Sequence, residues 1–287
     1  MIFNDILRAK LALDLGSEPF DGTLAPLKTF EIKAKGLGIL CGTKYIPTIV
    51  DIVEREFFLK TLLPLSPVEI KLSLQEGDVI IPGMPVAKLT GNSEVLLKAE
   101  RTILNILSEL SGIATYTKSQ VRRVKKYNVD LLDTRKDDPL MRSMHKHALT
   151  IGGGKPHRFG FPDGVLIKDN DIAVYGGIKQ AIDRRIRELK HQTKMEIEVR
   201  TLGELDQVIA DGRVDIILLD NMDIETLCES VKRIKTASKP YVIEASGIQE
   251  YMLEEVAKTG VSCISSSMFV RKGIAEHIDF SMKIVNQ

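Results

Sequence analysis

Positions 134–170 gather Arg135, Lys136 and Arg142 from TRKDDPLMR, His157 and Arg158 from GGGKPHRFG, and Lys168 from GVLIKDN. The 287-residue chain around them is nearly neutral, with 40 Lys+Arg against 39 Asp+Glu. Cations clustered on a neutral background imply a local ligand of opposite sign, a small polyanion bearing carboxylates, phosphates or both. Arginine grips such groups through two parallel hydrogen bonds, and lysine acts as a mobile point charge. Alone, Arg135 and Lys136 could be a salt-bridged strand end. The three glycines ahead of His157 favour a ligand site, because they let backbone approach closely and offer amide donors. As a bare pattern, triple glycine can also be only a flexible turn.

Two acids end nearby apolar runs, Glu198 in MEIEVRT and Asp220 in VDIILLDNM. Carboxylates at adjacent strand ends suit ribose hydroxyls, or a Mg²⁺ held mainly through water and phosphate oxygens. Asp220 also fits the capping of a following helix. Glu198 is harder to explain structurally, since an acid inside a β run is costly without a partner. Together, a cationic patch facing a carboxylate pair matches a phosphorylated sugar plus an acidic second substrate. His145 and His147, in the helical stretch PLMRSMHKHAL, read as a solvated face, and His191 and His277 as surface residues. HExxH, GxSxG, Walker lysine loops and zinc-ligand spacings are missing from the sequence.

The elements that must position these residues are repetitive. VDLLDTRK, DGVLIKDND, MEIEVRT, VDIILLDNM, PYVIEASG and VSCISSS are short apolar runs ending in polar residues. GIKQAIDRRIRELKHQ, LGELDQVIAD, IETLCESVKRIK and QEYMLEEVAKTG lie between them with helical spacing. Strand, polar end, helix, repeated, is parallel α/β architecture. An open doubly wound sheet fits as well. Reactive residues at nearly every strand end favour a barrel, incomplete here with six strands. Upstream, VEIKLSLQEGDVIIPGMPVAKLTGN alternates strands with turns at Glu76-Gly77-Asp78 and Pro82-Gly83. With FEIKAKGLGIL as a strand and TIVDIVEREFFLKTL as a helix, this makes an N-terminal α/β unit of sandwich-like form. LLKAERTILNILSELSGIATYTKSQVRRVKKY is one long helix or two.

Composition excludes several classes. Hydrophobic residues make up 44% and charged residues 28%, as in ordinary globular proteins. No net positive field exists to hold nucleic acid or an anionic membrane. No apolar stretch approaches the roughly 20 residues of a membrane span. Cys41, Cys228 and Cys263 lack paired spacing and read as reduced thiols of a cytoplasmic protein. MIFNDILRAKLALDLG is interrupted by Asp5, Arg8 and Lys10 and reads as an amphipathic helix rather than a signal peptide.

The chain resembles the quinolinate phosphoribosyltransferase family. The resemblance rests on AERTILNILSELSGIAT (99–115), DTRK (133–136), GGGKPHRFG (152–160), LIKDN (166–170), EIEV (196–199), ILLDNM (217–222) and IEASG (243–247). It implies an N-terminal α/β domain over 1–112, rejoined by 274–287, and an incomplete α/β barrel over 113–273. It implies a homodimer, or a higher homo-oligomer, with the active site at the subunit interface. The implied reaction joins quinolinate to 5-phosphoribosyl-1-pyrophosphate with Mg²⁺, giving nicotinate mononucleotide, CO₂ and pyrophosphate. Arg135, His157, Arg158 and Lys168 would hold the pyridine dicarboxylate, with Arg101 reaching in from the neighbouring subunit. Lys136 would sit near the reacting centre and pyrophosphate. Glu198 and Asp220 would bind the ribose and meet the metal indirectly, through water and pyrophosphate.

Several positions depart from the family's pattern. Asp137 and Asp138 stand where two threonines are usual, and Pro156 stands where the family has asparagine. The first phosphate loop, Ser246-Gly247-Ile248, is one glycine short. In the second, Ser267 and Arg271 replace a glycine and a histidine; Arg271 either grips the 5′-phosphate in compensation or is solvent-exposed on a loop beside a degraded phosphate site. These departures leave room for a paralogue acting on another small acid, such as a homologue linked to molybdate uptake, or for a non-catalytic small-anion binder.

Overall fold

The structure is a computed structural model that describes residues 2–16, 20 and 25–285. The chain divides into two compact units. One comprises Met1–Lys118, Ser143–Gly153 and Val270–Gln287, and the other comprises Ser119–Arg142 and Gly154–Phe269.

The first unit opens with helix α1 (Ile2–Leu15), the amphipathic helix expected from the interrupted apolar run. Strands β1 (Leu27–Ala34), β2 (Gly38–Ile39), β3 (Glu69–Leu72), β4 (Val79–Ile80) and β5 (Pro85–Asn92) follow. The chain's last strand, Phe280–Ile284, pairs antiparallel with β1, and β1 continues the sheet through β5 to β3. The rejoining of the N-terminal unit by the chain's end is therefore present. Phe30, Ile32 and Ala34 of β1 are buried while Lys33 is exposed, the period of two that gives a sheet one apolar face. Helix α2 (Ile46–Thr61) starts with Pro47 in its first turn, where no amide partner is needed, and buries Ile46, Ile49, Val50, Val53 and Phe57. Helix α3 (Ser93–Val124) is a single 32-residue helix whose Leu96, Ala99, Ile103, Leu107 and Leu110 are buried along one stripe.

Helix α4 (Arg142–Ile151) corrects two expectations. From Ser143 on it belongs to the first compact unit, which also takes in residues 113–118. Its histidines are not a solvated face. His145 is buried with Nε2 2.6 Å from Glu109 Oε1, and His147 Nε2 lies 2.8 Å from Glu76 Oε2. These polar ties inside the first unit hold the helix there. The triple glycine after it is not a ligand loop. Gly153 takes φ +91°, the left-handed turn that ends a helix, and a Cβ on Gly152 would sit 2.6 Å from the Ala114 carbonyl and Thr117. Close packing and chain reversal account for Gly152 and Gly153.

The second unit contains all six expected strands: β6 (Asp130–Leu132), β7 (Val165–Ile167), β8 (Met195–Val199), β9 (Ile216–Asp220), β10 (Val242–Ser246) and β11 (Cys263–Ser265). All pair in parallel, in the order β6-β11-β10-β9-β8-β7. The path runs in one rotational sense, with the first strand beside the sixth and no pairing between β6 and β7. A doubly wound sheet would reverse direction midway, so this is an incomplete α/β barrel. Helices α5 (Asp169–Tyr175), α6 (Ile178–Arg185), α7 (Leu202–Asp211), α8 (Ile224–Thr236) and α9 (Leu253–Lys258) occupy the crossovers, and α10 (Met268–Ala275) follows β11. Alternation along the strands separates two faces. Ile197, Val199, Ile217, Leu219, Ile243, Ala245 and Ile264 are buried on one. Glu196, Glu198, Leu218, Asp220, Glu244, Ser246 and Ser265 share the other, which gives the barrel a largely polar interior.

Candidate active site

A cavity of about 630 Å³ opens at the C-terminal ends of the barrel strands, where parallel β/α folds place their chemistry. Thr134, Arg135 and Lys136 enter it after β6, His157 and Arg158 from the loop before β7, and Lys168 after β7. Glu198 comes from β8, Asp220 from β9, Ser246 and Gly247 from β10, and Ser267 from the turn before α10. Of the residues singled out from sequence, Arg101, Arg142 and Arg271 do not line it. Arg101 is exposed on α3. Arg271 is a helical residue in the first turn of α10, where Phe269 and Val270 take the buried positions and Arg271 faces out. Of the two readings of Arg271, the structure matches the solvent-exposed one, on a helix rather than a loop.

One end of the cavity is cationic and under-satisfied. Buried Nε groups of Arg135 and Arg158 make no hydrogen bond among the described residues. Both guanidinium groups lie over the Phe161 ring, at 4.6 and 5.6 Å from its centroid. One Arg158 nitrogen donates to the Gly164 carbonyl at 3.0 Å. Burial, then the like charge of Arg135, lower the Arg158 pKa from its ordinary value. Buried donors left without acceptors, beside a second cation, are arranged for an anion.

His157 is held from both sides. Its backbone amide donates to Asp133 Oδ1 at 2.7 Å, and its Nδ1 accepts the Arg158 amide at 2.8 Å. Nε2 lies 3.6 Å from carboxylate oxygens of both Glu196 and Glu244, two buried acids that sequence reasoning missed. Desolvation, with the facing Glu244 second, raises the Glu196 pKa well above the usual carboxylate range. The period-two pattern of MEIEV already put Glu196 on the same face as Glu198, which was the available signal.

The unusual acids Asp137 and Asp138 turn away from this end. Asp137 Oδ1 accepts from Arg142 Nε at 3.0 Å, and the Arg142 guanidinium also reaches the Phe159 carbonyl. Asp138 accepts the Leu140 amide at 2.9 Å. Neither lines the cavity.

Strands β8 and β9 bring two further carboxylates, Glu198 and Asp220, to the cavity. Glu198 is buried, with Lys168 Nζ 3.0 Å from Oε2 and an Arg200 nitrogen 3.0 Å from Oε1. Asp220 Oδ1 accepts from the Ser246 hydroxyl at 2.5 Å, and Oδ2 from Asn221 Nδ2 at 2.6 Å. The capping role that Asp220 could have filled is taken by Asp223, whose carboxylate accepts the Thr226 amide at the start of α8. Arg200, also missed from sequence, contacts Asp169 at 2.9 Å and approaches Asp220 at 3.6 Å. It directly follows a strand that ends in a reactive acid, and that placement was the clue. With both carboxylates already engaged by cations and donors, this set does not fit a divalent ion bound directly by the protein.

A third region offers small donors. Ser246, Gly247, Ser265, Ser266 and Ser267 line it. Gly247 has φ +71°, and a Cβ there would collide with the Asn221 side chain, so only glycine fits the turn.

The sequence matches the family described as Quinolinate phosphoribosyl transferase, C-terminal domain, over residues 113–283, and its N-terminal domain counterpart over 24–111. It is 37% identical over 253 residues to a probable nicotinate-nucleotide pyrophosphorylase [carboxylating] of Synechocystis, covering 88% of this chain and 81% of the relative. It is 34% identical over 272 residues to a protein of the same description from Archaeoglobus fulgidus, covering 92% and 98%. The fold matches a solved nicotinate-nucleotide pyrophosphorylase from Francisella tularensis with TM-score 0.85 at 31% identity, covering 99% of this chain and 96% of that one.

Proposed function

Because this chain belongs to the quinolinate phosphoribosyltransferase family, we propose that it transfers the phosphoribosyl group of 5-phosphoribosyl-1-pyrophosphate to quinolinate. The products are nicotinate mononucleotide, CO₂ and pyrophosphate, as in NAD biosynthesis. The observation that carries this reading is the division of one cavity into a cationic end with unsatisfied arginine donors and a carboxylate side.

Arg135, Arg158 and Lys168 bind the two carboxylates of the acceptor, with the His157 loop closing that end. The acceptor nitrogen forms its bond to C1′ as the bond to pyrophosphate breaks. Glu198 and Asp220 face the ribose, where hydrogen bonds to its hydroxyls and negative charge favour an oxocarbenium-like transition state. Lys136 meets the leaving pyrophosphate. Loss of CO₂ leaves its electron pair on the ring carbon next to the cationic nitrogen, and a proton from solvent completes the product. Lys168 touches Glu198 directly, so acceptor and sugar ends share one residue. Ser246, Gly247 and Ser267 offer hydroxyl and amide donors to the phosphate. Mg²⁺ belongs to the polyphosphate co-substrate, whose negative charge it would offset.

The unusual Asp137 is compatible with an acidic acceptor such as quinolinate, because its carboxylate is spent on Arg142. The active unit is a homodimer, or a larger homo-oligomer, in which Arg101 serves the partner's site. Its exposure on α3 and its absence from the cavity lining support that role. The setting is cytoplasmic, consistent with three free thiols; among the described residues no helix is long and apolar enough to cross a membrane. The test is incubation of purified protein with quinolinate, phosphoribosyl pyrophosphate and Mg²⁺. Nicotinate mononucleotide and CO₂ in equal amounts are expected, and neither product at any protein concentration would refute the assignment. Mixing inactive Arg101→Ala and Lys136→Ala proteins should restore activity through hybrid dimers; no recovery after confirmed subunit exchange would refute the shared site.

A further inference from the structure

Arg200 stands between three carboxylates on the sugar side of the cavity. One terminal nitrogen lies 2.9 Å from Asp169, the other 3.0 Å from Glu198, and Nε lies 3.6 Å from Asp220. Its backbone is fixed by the start of α7, where the Arg200 amide donates to Glu204 Oε2 at 2.7 Å and Thr201 accepts the Glu204 amide. The guanidinium is thus delivered to the carboxylates by a helix cap rather than by a loose surface loop. Lys168 completes the set at 3.0 Å from Glu198.

A divalent ion coordinated by Glu198 and Asp220 would have to enter this same space. It would displace the Arg200 and Lys168 contacts of Glu198 and the Ser246 and Asn221 hydrogen bonds of Asp220. It would also come within contact range of a guanidinium that stays charged at every working pH. Both the donor inventory and the charge oppose it. We propose that Arg200 is the resident counter-cation of Asp169, Glu198 and Asp220, and that with it in place this carboxylate set does not hold a divalent metal by itself.

The inference deepens the reading of the sugar side given above, but its test uses no substrate and so stands apart from the identity of the acceptor. The probe is Mn²⁺ alone, titrated into the full-length protein at low ionic strength, with free Mn²⁺ followed by electron paramagnetic resonance. The wild-type protein should show no stoichiometric binding in the sub-millimolar range. Arg200→Ala should gain one Mn²⁺ site with affinity raised at least about tenfold, since a nearby positive charge is removed from among three negative ones. Adding Asp220→Asn to that variant should abolish the gain. Arg200→Gln, which keeps a hydrogen-bonding head on a shorter neutral side chain, provides the same reading should the alanine variant fold poorly, and Arg200→Lys should stay near wild type. Tight Mn²⁺ binding by the wild-type protein that Asp220→Asn removes would overturn the proposal. So would folded Arg200→Ala and Arg200→Gln proteins with no gain in Mn²⁺ affinity.

Discussion

Glu76 in the first unit and Glu196 in the second are both acids largely enclosed by protein, yet their surroundings are opposite. Glu76 accepts from the Gly42 and Lys44 amides, the Thr43 hydroxyl and the His147 ring. Burial opposes its ionisation, but these hydrogen bonds outweigh it and hold the carboxyl down at about 2. Glu196 instead faces Glu244 across the His157 ring, and Oε1 of each acid has no hydrogen-bond partner among the described residues. The first unit has supplied a buried charge with every donor it needs, as a scaffold does. The barrel leaves Glu196, Glu244, Arg135 and Arg158 partly unsatisfied, a state that costs stability and leaves capacity for a ligand.

The largest expected effect lies in the barrel, at a carboxylate that its neighbours hold in place. Asp220→Ala should lower kcat by about 10²–10³-fold, the size found when a preorganised electrostatic partner of a transition state is removed. Steady-state rates at saturating substrates check this, with thermal melts showing that the fold persists. Next comes Arg135→Ala. A charged hydrogen bond contributes roughly 1.5–3 kcal/mol, so quinolinate binding should weaken about 10- to 150-fold, read by calorimetric titration.

Changes on the scaffold side should move stability rather than binding. Glu76→Ala strands the Gly42 and Lys44 amides and should destabilise the protein by about 1–3 kcal/mol. Urea unfolding measures the loss, and the variant's KM for quinolinate should stay unchanged below its melting range. The pH signs of the two acids are opposite. The folded pKa of Glu76 lies below its ordinary 4.5, so its contribution is present above that pH and is lost as pH falls toward about 2. The folded pKa of Glu196 lies above 4.5, so the stability linked to its proton is full below that pH and is lost as pH rises. Glu196→Gln should therefore gain on the order of 1 kcal/mol over wild type at pH 9 and nothing at pH 5. Equal melting differences at the two pH values would count against a raised Glu196.

The barrel itself was legible in the sequence because each strand is a short apolar run with polar residues at its end, and all six are found where those runs lie. Most of the cavity was legible for the same reason, since strand ends point their residues to one place. What failed depended on contacts that spacing does not encode. The triple glycine looked like a ligand loop but serves the packing of Gly152 against α3. His145 and His147 looked solvated until Glu109 and Glu76, distant in sequence, came beside them. Helix α5 is only seven residues long, too short for a helical period to declare itself in DNDIAVY. Arg271 was placed by analogy with a loop, whereas the chain there is already helical.

If one barrel cavity has separate acid-binding and sugar-binding ends, a single arginine at the first should affect only one substrate. The most direct measurement is the pair of KM values of Arg158→Ala for quinolinate and for phosphoribosyl pyrophosphate, followed through nicotinate mononucleotide formation. A rise of about tenfold or more is expected for quinolinate, with the value for phosphoribosyl pyrophosphate within about twofold of wild type. An equal rise in both values, or no change in the value for quinolinate, would contradict it.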